Sequence, residues 1–168
     1  MNAKTTAVFN TWAENGLAGE MENDHAGPVA VAVSQMGLGP GEIILDLGCG
    51  NGWATRLLAG ITGGRAIGID GAANMVALAR KLSGQFPDIT FKQAAFDSLP
   101  VTAESVDRVF SMEALYYAAD LGVVIGEIHR VLKAGGRAEI IINFFRENAM
   151  TEGWADLLGV PMRWLSEN

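Results

Sequence analysis

The stretch Leu45-Asp46-Leu47-Gly48-Cys49-Gly50-Asn51-Gly52 runs an apolar segment into three glycines at alternate positions. Ile43 to Leu47 has the length and composition of a strand buried on both faces. Gly48 to Asn51 reads as a tight turn, because glycine accepts backbone conformations that other residues avoid. Gly52 to Gly60 then reads as a helix. The same alternation continues downstream. Arg65 to Asp70 predicts a second strand and Ala73 to Leu82 a helix. Thr90 to Ala94 and Val106 to Ser111 predict a third and a fourth strand. Leu121 to Leu132 predicts a helix that stops at Lys133-Ala134-Gly135-Gly136, where glycine suits the left-handed cap. Ala138 to Asn143 predicts the fifth strand. Strands alternating with helices give an α/β fold: a doubly wound, mostly parallel sheet with helices on both faces.

The flanks differ. Thr5 to Met21 suggests one or two short helices with Phe9 and Trp12 on an apolar side. Glu20 to His25 reads as a polar loop, and Pro28 as the first turn of a helix running to Met36. Three segments follow: an N-terminal helical segment over 1–40, a core over 41–145 and a C-terminal part over 146–168, where Trp154 to Leu158 predicts a last helical piece.

Composition narrows the function. The chain has 168 residues with a formal net charge of −7, and its 12 Lys and Arg form no run longer than Arg80-Lys81. A nucleic-acid binder shows a basic stripe, so neither nucleic acid nor an anionic membrane is expected as a partner. Cys49 is the single cysteine, which excludes an internal disulfide and a cysteine zinc site. His25 and His129 stand too far apart for metal-ligand spacing, so no metal is expected. Met1 to Gly16 lacks the apolar core of a secretory signal, and no apolar run is long enough to cross a membrane. These features together are read as cytoplasmic.

The glycine turn and its acidic neighbours point to a ligand. A helix start presents free N–H groups, and ligands of open parallel sheets sit at the carboxyl ends of the strands. Asp70 closes the second strand, where a carboxylate accepts hydrogen bonds from ribose hydroxyls. Asp97 follows the third strand beside Phe96, an arrangement that suits an adenine amino group under a packed ring, or equally a capping turn. A pyrophosphate favours a turn without local negative charge. Asp46, ahead of the first glycine, instead suits a cationic amine, which separates this turn from that of a nicotinamide-dependent oxidoreductase.

These segments resemble the motifs of the class I S-adenosylmethionine-dependent methyltransferases, small-molecule type. Leu45 to Gly52 resembles their first motif and Ile67-Gly68-Ile69-Asp70 the second. Phe96-Asp97-Ser98-Leu99-Pro100 resembles the adenine-binding segment, Asp107 to Ser111 the fourth strand, and Val131 to Gly136 the turn before the fifth. The resemblance covers about Gly41 to Asn143 and implies a Rossmann-like fold with S-adenosyl-L-methionine as cofactor. It implies that Asp46 reaches the methionine amino group and that Gly48, Cys49, Gly50, Asn51 and Gly52 line the methionine part. Asp70 would hold the ribose, with Gly71 and Met75 beside the adenine. Ala95, Phe96 and Asp97 would hold the base, and Ser111 would lie near the reactive methyl.

Methyl transfer needs mainly orientation, and a base only if the acceptor loses a proton. No catalytic group is therefore required by the pattern. Glu113 and Tyr116, with Tyr117, follow the fourth strand and are candidates; packing and a surface carboxylate are the plain alternative. His25 is a further candidate, or a solvated histidine. A full domain of the family has seven strands, and only five are readable, so the last two are expected to be missing and the fifth strand to expose an edge. That edge is expected to support a homodimer. The implied activity is methyl transfer to a small-molecule acceptor; the alternative is an S-adenosylmethionine-binding module with little or no activity.

Overall fold

The computed structural model describes residues 2–166. The apolar run at the centre of the sequence forms β1 (Ile44–Leu47), buried along its whole length. It lies between β2 (Ala66–Asp70) and β4 (Val106–Met112), with β3 (Ile89–Gln93) and β5 (Leu132–Ile141) at the two edges. The sheet order is β3-β2-β1-β4-β5, and every pairing is parallel. Parallel neighbours require crossovers, which α3 (Trp53–Thr62), α4 (Ala73–Leu82) and α5 (Leu121–Val131) supply. The main core joins β1, β2 and β4 to the inner face of α5 through Leu45, Ile69, Val109, Val124 and Ile128. The expected doubly wound α/β sheet is the observed fold.

Two predicted boundaries are corrected. The N-terminal segment forms α1 (Ala3–Glu14) and one long helix, α2 (Leu17–Met36), so Glu20 to His25 is helical rather than a loop. Pro28 sits inside α2 and not at its start. It removes a backbone donor there, and tertiary contacts carry the helix past it: Ala18, Val29 and Met36 are buried against the core. The second correction concerns β5, which begins at Leu132 and not at Ala138. Leu132 pairs with Val106, after which the register slips so that Arg108 pairs with Arg137. Lys133 to Gly136 therefore forms an irregularity within the strand instead of a helix cap. Its Lys133 ammonium donates to the Asp107 carboxylate at 2.8 Å.

After β5 the chain folds back. Phe144 is fully buried and stacks on Trp164, with ring centroids 4.2 Å apart. Phe145 bridges Leu165, and the Arg163 N–H donates to the Tyr116 carbonyl at 2.8 Å. The short helix α6 (Trp154–Leu158), where the sequence predicted it, packs Trp154 and Leu158 beside Tyr116 and Tyr117.

Candidate functional site

The carboxyl ends of β1, β2 and β4 meet beneath α1 and α2. The turn after β1 is anchored from below, where the N–H groups of Gly48 and Cys49 both donate to the Ile69 carbonyl, at 2.8 and 3.1 Å. Gly48 has φ +79°, and a Cβ there would fall inside the Ala114 methyl group, so only glycine fits. Gly50 has φ +52°, yet a Cβ would meet nothing within 4 Å. Its Cα faces open space on the ligand side of the turn.

Two carboxylates hold this turn. Asp70 accepts from the N–H groups of Gly50, at 3.0 Å, and Ala72, at 2.8 Å. Asp46 accepts from the Thr55 hydroxyl at 2.6 Å. Both are buried, Asp46 at 2% exposure and Asp70 at 8%. Burial pushes the Asp46 carboxyl up to about 7, and the nearby Asp70 charge adds to the rise. Burial likewise raises the Asp70 carboxyl, against the pull of its backbone donors. Among the described residues no ion pair reaches either carboxylate. Two buried acids without a protein cation, beside a cradle kept open at Gly50, match the chemistry of a ligand carrying positive charge. S-adenosylmethionine, with its ammonium and sulfonium, is such a ligand.

Three adjoining cavities occupy this end of the sheet. One of about 30 Å³ lies over the turn, walled by Asp46, Cys49, Gly50 and Asn51 with Ala18 and His25. One of about 50 Å³ is walled by Gly48, Asp70, Met75, Phe96, Glu113 and Phe9. An outer one of about 380 Å³ is walled by Trp12, His25, Glu113, Tyr116, Trp154 and Leu158. Met21 lines all three. α2 is tied to the turn by the Asn51 side-chain amide, which donates to the Ala18 carbonyl at 3.0 Å. α1 is tied to α4, where the Asn74 N–H donates to the Asn10 side chain at 2.9 Å.

Most predicted site residues converge here: Asp46, Gly48, Cys49, Gly50, Asn51, Asp70, Met75 and Phe96, with His25, Glu113 and Tyr116. Others do not. Ser111 is fully buried and its hydroxyl donates to the Leu47 carbonyl at 2.8 Å, so it ties β4 to β1 and lines none of the three cavities. Ala95 and Asp97 are exposed and lie outside these walls. Phe96 turns inward to pack with Leu99 and Val101, which leaves its neighbours on the surface. Gly52 caps α3 under the Phe91 ring, and Gly71 lies beside the cavities without lining them.

Glu113 is not the surface carboxylate of the plain alternative. It holds φ +50° and accepts from the Asn143 N–H and from the Tyr116 hydroxyl, the latter at 2.9 Å. Burial raises its carboxyl from the ordinary value. His25, on α2 instead of in a loop, has its imidazole pKa lowered by burial, so the neutral ring is favoured. Sequence reasoning missed Met21 and Met112. Helical spacing of Ala18, Met21 and His25 places all three on one face, a signal hidden by reading Glu20 to His25 as a loop. Among the described residues no group of His, Cys, Asp and Glu is arranged to hold a metal ion, and no helix is long and apolar enough to cross a membrane.

Comparison with known proteins agrees with this geometry. Residues 45–140 match the family described as the methyltransferase domain. A solved complex of the Haloferax volcanii Trm112 methyltransferase activator with a methyltransferase contains a chain that is 39% identical, with a TM-score of 0.89. The match covers 93% of this chain and 70% of that one. The 2-phytyl-1,4-naphtoquinone methyltransferase of Thermosynechococcus vestitus is 35% identical over 113 residues, 66% of this chain and 50% of that protein. The sterol 24-C-methyltransferase of Pneumocystis carinii is 31% identical over 119 residues, 67% of this chain and 32% of that protein. The chain thus spans half or less of these two relatives. Sheet order, glycine turn, paired acids and sequence match agree: this chain belongs to the class I S-adenosylmethionine-dependent methyltransferase family.

Proposed function

We infer that the chain transfers a methyl group from S-adenosylmethionine to a small, uncharged acceptor held in the outer cavity. One observation carries this reading: cavities beside two buried carboxylates that have no protein cation share walls with a larger cavity lined by aromatic rings. When bound, S-adenosylmethionine supplies a methyl group activated on a sulfonium. The residues do the rest. Asp46 and the turn take the methionine end, Asp70 has acceptor capacity left for ribose hydroxyls, and Phe96 and Met75 bound the base. Phe9, Met21, Glu113 and Tyr117 belong to the walls of both the 50 Å³ cavity and the outer one, and so stand where donor and acceptor meet. Shielding this junction from water keeps the reacting groups oriented.

The outer walls carry no Lys or Arg, which disfavours an anionic acceptor. The names of the relatives, a naphthoquinone and a sterol enzyme, support an apolar one. We also propose that a second copy of the chain pairs along the β5 edge. Calorimetric titration with S-adenosylhomocysteine tests the cofactor reading. Binding by the wild type, weakened at least about tenfold in Asp70→Ala, is expected, because a charged hydrogen-bond acceptor is lost. A folded wild-type chain that binds none would refute it.

A further inference from the structure

The outer cavity has a composition of its own. Five aromatic side chains, Phe9, Trp12, Tyr116, Tyr117 and Trp154, make up much of its wall. Flat rings favour ring ligands through offset and edge contacts. Besides the tyrosine hydroxyls and indole N–H groups of those rings, the polar groups are Glu113, His25 and Asp24, and none is a fixed cation. A ligand entering this space meets two carboxylates that accept hydrogen bonds. Glu113 is the best placed. It lines both this cavity and the one beside Asp70, and its carboxylate is held by the Asn143 N–H and the Tyr116 hydroxyl. A carboxylate offers about four acceptor positions, so two remain. Its φ of +50°, rare for a residue with a side chain, is the kind of backbone outlier that clusters at functional sites.

We propose that the outer cavity is a binding site for a hydroxylated aromatic ring, a phenol or hydroquinone, whose hydroxyl donates to Glu113 while the ring packs among the aromatic walls. This rests on the methyltransferase reading above and names its acceptor class. An anion is excluded by Glu113 and Asp24. An ammonium has three donors to satisfy on leaving water, against one for a hydroxyl, and Glu113 already spends half its capacity within the protein. Leu157 lines the cavity yet is 83% exposed, so the mouth has an apolar rim along which a substituent of the ring can leave.

The test is calorimetric titration with 1-naphthol, 1-methoxynaphthalene, 1-naphthoate and 1-naphthylmethylamine, run beside S-adenosylhomocysteine. 1-Naphthol is expected to bind at least about tenfold more tightly than the methoxy compound, which cannot donate, and 1-naphthoate is expected not to bind. Glu113→Gln should remove about tenfold for 1-naphthol and leave the methoxy compound unchanged. Should that variant fail to fold, Leu158→Trp, which fills the outer cavity away from Glu113, should abolish 1-naphthol binding and keep that of S-adenosylhomocysteine. Equal affinities for the hydroxyl and methoxy compounds, tightest binding of the ammonium, or unaltered binding in Leu158→Trp would each overturn the proposal. Binding of S-adenosylhomocysteine without 1-naphthol removes the ring site and leaves the methyltransferase reading standing. Binding of 1-naphthol without S-adenosylhomocysteine does the reverse.

Discussion

At the scale of single residues, Asp46 is a buried carboxyl held far from its ordinary range at the heart of the glycine turn. Its carboxyl is held up to about 7 by burial, with the Asp70 charge adding to the rise. A folded-state pKa above the unfolded one means that the native chain holds a proton the unfolded chain has lost. That contribution to stability is complete below the unfolded pKa and disappears as pH rises through about 7. The ligand-free chain should therefore lose about 1 kcal/mol between about pH 6 and about pH 8, a fall in melting temperature of about 2–4 °C. Thermal melts across that range check this, and Asp46→Asn should flatten the slope. S-adenosylhomocysteine should bind more weakly below about pH 7, because its ammonium needs the ionised form. Gly48 makes a steric counterpart. Alanine there combines a clash with Ala114 and an unfavourable positive φ. A loss of about 2–4 kcal/mol is expected by denaturant unfolding, and an unchanged midpoint would show that the turn can shift.

At the scale of elements, α2 is where local preference and tertiary structure disagree. Pro28 lies on the exposed side in the interior of a 20-residue helix. It supplies no N–H to the carbonyl one turn earlier. Pro28→Ala should restore that bond and raise stability by about 1–3 kcal/mol, read as a shifted urea midpoint with unchanged slope. An unaltered midpoint would mean that the helix has already relaxed around the proline. The same conflict explains what the sequence could and could not reveal. β1, β2, α4, α5 and α6 were legible to within a residue because apolar runs and glycine breaks lie there close to their true limits. Asp46, Asp70 and the glycine turn were legible because their spacing is local. The continuity of α2 was not, since polar Glu20 to His25 and Pro28 are held helical by burial of Ala18 and Val29 against distant elements. The start of β5 was hidden for a similar reason: Leu132 is a strand residue because Val106 pairs with it. Glu113 was named as a candidate, but its carboxylate is held by the N–H of Asn143, just beyond β5, a contact no local pattern encodes.

At the scale of the whole molecule, the two sheet edges are unequal. β3 exposes Thr90, Lys92 and Gln93, and Lys92 is tied back to the Pro100 carbonyl at 2.9 Å. Charged lysine on an edge discourages pairing with another chain. β5 has no strand partner on its outer side among the described residues, and its last residues include the exposed Ile140. Val123 and Ile125 on α5 are also about half exposed, at 47% and 45%. Unpaired backbone groups beside apolar side chains favour addition of a further strand, which is why self-pairing is proposed here. Electrostatics sets how it should respond to conditions. Each copy carries a net charge of −7, so two copies repel, and salt screens that repulsion. Light scattering should show a dimer fraction that grows with protein concentration and with ionic strength. Ile140→Lys adds a charge at the contact and should return the chain to a monomer while leaving S-adenosylhomocysteine binding intact. A monomer at every concentration and salt would refute self-pairing at β5.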